Sequence, residues 1–161
     1  MTIKAGDRIP AGKLKVMGAS GPANVEAAEL LGKGRVVLFS VPGAFTPTCD
    51  AKHLPGFVDK AAALGKKGVA KIVCLAVNDV FVMHAWGKSA GVGDAIVMAA
   101  DGNGDYTRAL GLELDARGFG MGMRGQRFAL VVEDGVVKQV HVEAPGEFKV
   151  SSAEHILESL A

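Results

Sequence analysis

Apolar residues fall in short bursts along this chain, and the spacing inside each burst separates strands from helices. Residues 35–41 read RVVLFSV, β-branched and apolar on both faces, which predicts a buried strand. Residues 48–64 place Leu54, Phe57, Val58 and Ala61 three and four apart, the spacing of one helix face. Pro55 lies inside that segment and should kink or interrupt it, and Lys66, Lys67 and Gly68 close it. Residues 70–78, AKIVCLAVN, read as a second buried strand. Asp79 can cap a helix over VFVMHAWGKSA that ends near Gly91. Residues 94–101 give a third strand, and a short helix is expected around residues 106–110. A glycine-methionine loop spans 118–125. RFALVVE at 127–133 and VVKQVHV at 136–142 flank Asp134-Gly135, a strong hairpin signal. Ser151 and Glu154 fit a capping box for a last helix with Ile156, Leu157 and Leu160 inward.

The order is β-α-β-α-β-(α)-β-β-α. Strands that alternate with helices imply a parallel section, and the hairpin adds an antiparallel one. A βαβ half followed by a ββα half is the thioredoxin-like plan: an α/β fold with a central mixed sheet flanked by helices. The periodicity leaves a flavodoxin-like sheet open as an alternative.

Composition narrows the function classes. The 161 residues suit one domain spanning 1–161, and 49% hydrophobic content is enough for a core without staples. The net charge of +1 argues against a nucleic acid or anionic membrane bound mainly by charge. The opening MTIKAGDRIP lacks the pattern of a secretory signal, and the longest apolar runs are far shorter than a membrane span. Two cysteines, Cys49 and Cys74, do not make a disulfide scaffold. They fit a reducing cytoplasm with both thiols free. The 22 glycines are scattered, with no repeat and no low-complexity stretch.

The unusual stretch is VPGAFTPTCDAKHLPGF at 41–57, where a stiff turn delivers Cys49 to the first turn of a predicted helix. Free N–H groups and the dipole at a helix start favour an anion, and a cysteine there can have its pKa lowered toward a thiolate. Thr46, three residues earlier, can point its hydroxyl into the same pocket, while Pro42 and Pro47 would shield the sulfur. These residues fit a preorganised nucleophile. They equally fit a buried structural cysteine.

The same run resembles the peroxiredoxins, in particular the type II or type 5 branch, through Pro-x-x-x-Thr-x-x-Cys at Pro42, Thr46 and Cys49. VNDVFVMHAWG at 77–87, RFALVVEDG at 127–135 and the opening GDRIP look like that branch too, so the resemblance spans nearly the whole chain. It implies that Cys49 is the peroxidatic thiolate. Thr46 and Arg127 would then hold the peroxide oxygens, and Pro42 would wall the pocket. Arg124 is a second candidate arginine, expected to be an exposed loop charge. The implied activity is reduction of hydrogen peroxide and alkyl hydroperoxides through a Cys49 sulfenic acid, with no metal, haem or flavin. The resemblance also implies a homodimer contacting through Phe45 and the helix within 79–87.

A sulfenate must be reduced by another thiol. Cys74 lies mid-strand in KIVCLAV, which predicts a buried, inert thiol. Some members of the branch carry a resolving cysteine near the C-terminus, where this chain has Ser151. The chain therefore looks like a one-cysteine enzyme served by an outside thiol, glutathione with glutaredoxin first and thioredoxin second. A Cys49–Cys74 disulfide after local unfolding stays open. Two rival functions are a peroxide sensor or relay that passes oxidation to a partner protein, and a non-redox binding domain.

Other signals fall short. Gly120, Gly122 and Gly125 match G-x-G-x-x-G but precede a strand, so a mobile loop is the expected reading. Asp101, Asn103 and Asp105 mimic a calcium loop, but Tyr106 and Leu112 occupy its glycine and glutamate positions, which leaves a turn and helix cap. Cys49 and His53 lack further ligands at metal spacing; His53 is expected to face solvent, and would tune the thiolate were it to approach Cys49. Phe81, Met83 and Trp86 read as core or interface.

Overall fold

The computed structural model describes residues 1–160. Its centre is a seven-stranded mixed sheet. The parallel strands are β3 (Arg35–Ser40), β4 (Val69–Ala76) and β5 (Val97–Ala100). The hairpin β8 (Phe128–Glu133) and β9 (Val136–Val142) adds antiparallel to β3. A second hairpin, β1 (Lys13–Gly18) and β2 (Gly21–Glu26), joins beside β5, giving the order β2-β1-β5-β4-β3-β8-β9. This is the thioredoxin-like arrangement expected from the sequence. The N-terminal hairpin was not expected. Its side chains are largely solvent-facing, so hydrophobic contrast along it is weak. The short helix α1 (Ala27–Leu31) escaped notice as well.

Alternation along β3 divides the core. Val37 and Phe39 face one layer with α2 (Leu54–Lys66), α3 (Val80–Ala90) and α5 (Ala153–Ser159). Val36 and Leu38 face the other, with α1 and α4 (Asp105–Leu110). In the first layer Phe39 and Phe57 stack with centroids 4.1 Å apart, and Trp86 and Met83 are buried. Phe81 instead stays 64% exposed.

Local chemistry accounts for the boundaries. Asp79 accepts from the Val82 N–H to cap α3, and Gly91 closes it in the left-handed region. Asp134 and Gly135 both have positive φ (49° and 82°), the turn that matches a right-twisted hairpin. Asp134 Oδ1 also accepts from the Gly34 N–H, tying that turn to the start of β3. Asp101 accepts from the N–H groups of Tyr106 and Thr107, so the calcium-like segment holds the start of α4.

Three details differ from expectation. Helix α5 is capped by Ser152, which accepts from the His155 N–H, while Ser151 bonds elsewhere. The 118–125 segment is the tip and return strand of a ribbon, β6 (Glu113–Asp115) against β7 (Met123–Gly125). Where Pro55 was expected to kink or interrupt the helix, the interruption falls just ahead of it. Residues Cys49–His53 form a π-helical turn, in which the Leu54 N–H reaches the Cys49 carbonyl, and Pro55 sits in the first turn of α2.

Phe57→Ala should remove about 3–5 kcal/mol of stability, since Phe39 and the first-layer core cannot collapse into the space left. Urea unfolding checks this: the midpoint should fall with the slope unchanged.

Candidate active site

Strand β3 ends at Ser40, and the chain turns through Pro42 and Gly43 with Phe45 in the left-handed region at φ 64°. Neighbouring elements hold that turn. The Ala44 N–H donates to Asn78 Oδ1 at 2.9 Å, and Trp86 Nε1 donates to Asp50 Oδ1 at 2.9 Å. The Thr46 carbonyl accepts from the Asp50 N–H, starting the π-helical turn. Cys49 Sγ is thereby placed inside the molecule with no solvent exposure.

Two donors converge on the sulfur. Thr46 Oγ1 lies 2.8 Å away and Arg127 Nη2 3.0 Å away. The threonine oxygen is also 2.7 Å from the Gly43 carbonyl, and its single proton serves one of these acceptors at a time. A guanidinium at this distance stabilises negative charge on sulfur. Arg127 precedes β8, and the β3–β8 register, which pairs Ser40 with Phe128, carries it to the mouth of the turn.

His53 departs from expectation. It is fully buried, not solvent-facing. Its Nδ1 lies 2.8 Å from Arg127 Nη1 and its Nε2 lies 2.9 Å from the Ser151 carbonyl. A guanidinium can only donate and a carbonyl can only accept. Nδ1 is therefore the bare nitrogen and Nε2 carries the proton. Burial, reinforced by the Arg127 charge, drives the His53 pKa down to about 3, so the ring is neutral at physiological pH. Both nitrogens are engaged, which leaves none for a metal. Phe148 packs edge-on against the imidazole at 5.0 Å and lies 5.9 Å from the guanidinium carbon.

A cavity of about 350 Å³ opens beside this cluster, lined by Pro42, Thr48 and Arg127 and, farther out, by Phe119, Met121 and Pro145. Its wall is mostly carbon, while Arg127 supplies a charged donor. Pro42, Thr46, Cys49 and Arg127 thus come together as the sequence proposed. Arg124 is not the exposed charge expected. It is half-buried and donates to the carbonyls of Met121 and Pro42, bracing the turn from the ribbon side.

The chain matches the Redoxin family over residues 4–157. It is 47% identical to peroxiredoxin-2B of Arabidopsis thaliana, covering 98% of each chain. It is 49% identical to the chloroplastic peroxiredoxin-2E-2 of Oryza sativa, covering 99% of this chain and 73% of the relative. The structure of reduced Prx3 from Vibrio vulnificus in complex with hydrogen peroxide superposes with a TM-score of 0.94 at 46% identity, covering 99% of this chain and all of the other. The chain belongs to the type II peroxiredoxins. It is accordingly a thiol peroxidase, an enzyme that reduces peroxides at the expense of thiols.

The second cysteine of this peroxiredoxin is buried within the sheet. Cys74 lies on β4 opposite Phe39, fully buried, and burial pushes its thiol pKa up, with a smaller contribution from the nearby Cys49 charge. Both cysteines are free. The sequence favours a solvent-facing His53 over the alternative of a place beside Cys49, and the structure puts it in the cluster. Its spacing of four from Cys49 was the available signal, because that places both on one helix face. Among the described residues, no helix is long and apolar enough to cross a membrane.

The neutral His53 makes stability depend on pH. The folded pKa lies below the unfolded value near 6.5, so between about pH 6.5 and 3 the unfolded chain binds a proton that the folded chain refuses. Stability present above pH 6.5 is lost as pH falls, by up to roughly 1.4 kcal/mol per unit from this group. Urea titrations at pH 7, 5.5 and 4.5 should show this slope, and His53→Gln should flatten it.

Proposed function

We propose that Cys49 is the peroxidatic nucleophile, with Thr46 and Arg127 as its peroxide-holding partners and Pro42 as pocket wall. The observation that carries this reading is the pair of donors at 2.8 and 3.0 Å from one buried sulfur. The thiolate attacks the terminal oxygen of a hydroperoxide, the O–O bond breaks, and the other oxygen leaves as alkoxide and takes a proton. Cys49 is left as sulfenic acid, and the peroxide as water or alcohol. Negative charge moves from sulfur to the leaving oxygen during the step. Arg127 and the N–H groups of the turn, including that of Cys49, stand ready to stabilise it there. Thr46 can pass its hydroxyl proton between the sulfur and the bound peroxide. The apolar outer wall at Phe119, Met121 and Pro145 suits alkyl hydroperoxides alongside hydrogen peroxide.

The reductant is an external thiol. A thiol attacks the sulfenic sulfur, releases water and forms a mixed disulfide, and a second thiol frees Cys49 as the oxidised pair departs. The inert position of Cys74 and the buried Ser151 support this reading. Glutathione with glutaredoxin is the first proposal and thioredoxin the second. Two free thiols suit a reducing cytoplasm. The exposed aromatic side chains of Phe45, in the turn, and Phe81, on α3, at 48% and 64% exposure support the proposed homodimer face.

Cys49→Ser should abolish peroxide turnover while the circular dichroism stays native, and Cys74→Ser should keep the wild-type rate. Retained peroxidase activity in Cys49→Ser would sink the assignment. Intact mass after one equivalent of hydrogen peroxide, with a sulfenate trap present, should show one adduct at Cys49. A loss of about two mass units without adduct would mean that Cys74 closes a disulfide. Slow turnover with glutathione, glutaredoxin and thioredoxin alike would favour a sensor or relay over a peroxidase.

A further inference from the structure

Glu143 is a buried carboxylate that the chemistry above does not use. It is 8% exposed and follows β9 directly. Its Oε2 accepts three hydrogen bonds, from the Lys149 N–H at 2.7 Å, the Ser151 N–H at 2.8 Å and the Ser151 hydroxyl at 2.6 Å. Burial alone would raise its pKa, but these donors win and hold it below the ordinary carboxylate value. Its own N–H donates to the Arg127 carbonyl at 3.0 Å. Glu143 is therefore bonded through its backbone to Arg127 and through its side chain to the far end of the 144–151 strap.

That strap carries two groups of the site. Phe148 covers His53 and Arg127. The Ser151 carbonyl is the acceptor for His53 Nε2. If the strap loosened, Nε2 would lose its acceptor and the Nδ1–H tautomer would compete. An Nδ1–H directed at a guanidinium N–H opposes donor to donor, and Arg127 would no longer be held against the sulfur.

We propose that Glu143 is a positioning residue for peroxide reduction: by fixing the 144–151 strap it presents the Ser151 carbonyl to His53, and so sets the imidazole tautomer that holds Arg127 at Cys49. This rests on the reading of Cys49 and Arg127 given above. Glu143 lines the same cavity as Arg127, but its carboxylate makes no ion pair with the guanidinium. Three convergent donors absorb its charge, so it orders the strap without pairing with the guanidinium.

The test uses the full-length protein and two readouts. One is the His53 tautomer, from two-bond ¹H–¹⁵N correlation of the imidazole. The other is the second-order rate of Cys49 with hydrogen peroxide, with Tm measured alongside. Wild type should show the Nε2–H tautomer alone. Glu143→Ala should mix the tautomers and slow the peroxide reaction by about tenfold or more. Glu143→Gln keeps the side-chain shape and an amide oxygen that can accept two of these bonds, and it should stay within about threefold of wild type in rate and keep the tautomer. Ser151→Ala removes one of the three bonds and should move both readouts in the same direction by less, which serves if Glu143→Ala does not fold. Wild-type rate and tautomer in Glu143→Ala would overturn the proposal. So would a fall in rate with the Nε2–H tautomer retained. A wild-type protein whose Cys49 ignores peroxide would instead defeat the reading of the site, while the tautomer measurement would still judge the role of Glu143.

Discussion

A single guanidinium joins the parts of this site. Arg127 donates to the Cys49 sulfur with one nitrogen and to the His53 ring with another. Among the described residues no carboxylate lies within 4.0 Å of it. That absence of an ion pair has a consequence for the field at the sulfur. An aspartate or glutamate beside Arg127 would orient it equally well, but would cancel the charge that the thiolate and the leaving oxygen require. A neutral imidazole orients without cancelling. Burial keeps it neutral, and the Ser151 carbonyl keeps its bare nitrogen toward the arginine.

The fold supplies this geometry from segments far apart in sequence. The β3–β8 register brings Arg127 to the end of β3, where the turn to Cys49 begins. The π-helical turn then faces Cys49 and His53 toward the same arginine. Helix α3 holds the turn from one side through Trp86, with Asn78 just ahead of it, and Arg124 of the ribbon braces it from another. Each clamp is a hydrogen bond to turn backbone or to the first residue after Cys49. The sulfur's surroundings are thus a property of this end of the sheet as a whole, and this suits a site whose donors must be in place before charge moves.

How much of this was legible in the sequence depended on how local the signal was. The buried strands, the Asp134-Gly135 hairpin and the Asp79 cap announce themselves within a few residues. So do Pro42, Thr46 and Cys49, because a rigid turn before a helix start is a local construction. Arg127 could be named through its family resemblance, and the strand pairing then explains why it reaches the sulfur. The edge hairpin β1–β2 was invisible because it separates no apolar face from a polar one. His53 was read as solvent-facing because nothing near it in sequence reveals that residue 151 and Phe148 cover it. Glu143 gave no signal at all, since its partners lie beyond a loop and its value to the site passes through two other residues.

The two halves of the reaction make opposite demands on the Cys49 turn. Peroxide is small, and a buried sulfur with two fixed donors serves it best. The outside thiol proposed above as reductant, on a peptide or protein, is far larger, and it would have to attack the same sulfur in line with the S–O bond. With Cys49 at 0% exposure, no such approach exists while the turn is closed. With such a reductant the turn would have to open once per cycle, and the bonds that favour the first step would stand against the second. These bonds are individually modest, each worth about 0.5–1.5 kcal/mol in net stability. The Asp50–Trp86 and Ala44–Asn78 contacts can part without disturbing the sheet. The clamp on Arg127 runs through the buried His53 and the Glu143-held strap instead. The polar contacts thus fall into two separate sets, one clamping the turn that carries the nucleophile and one holding the arginine from behind through His53 and the Glu143-held strap.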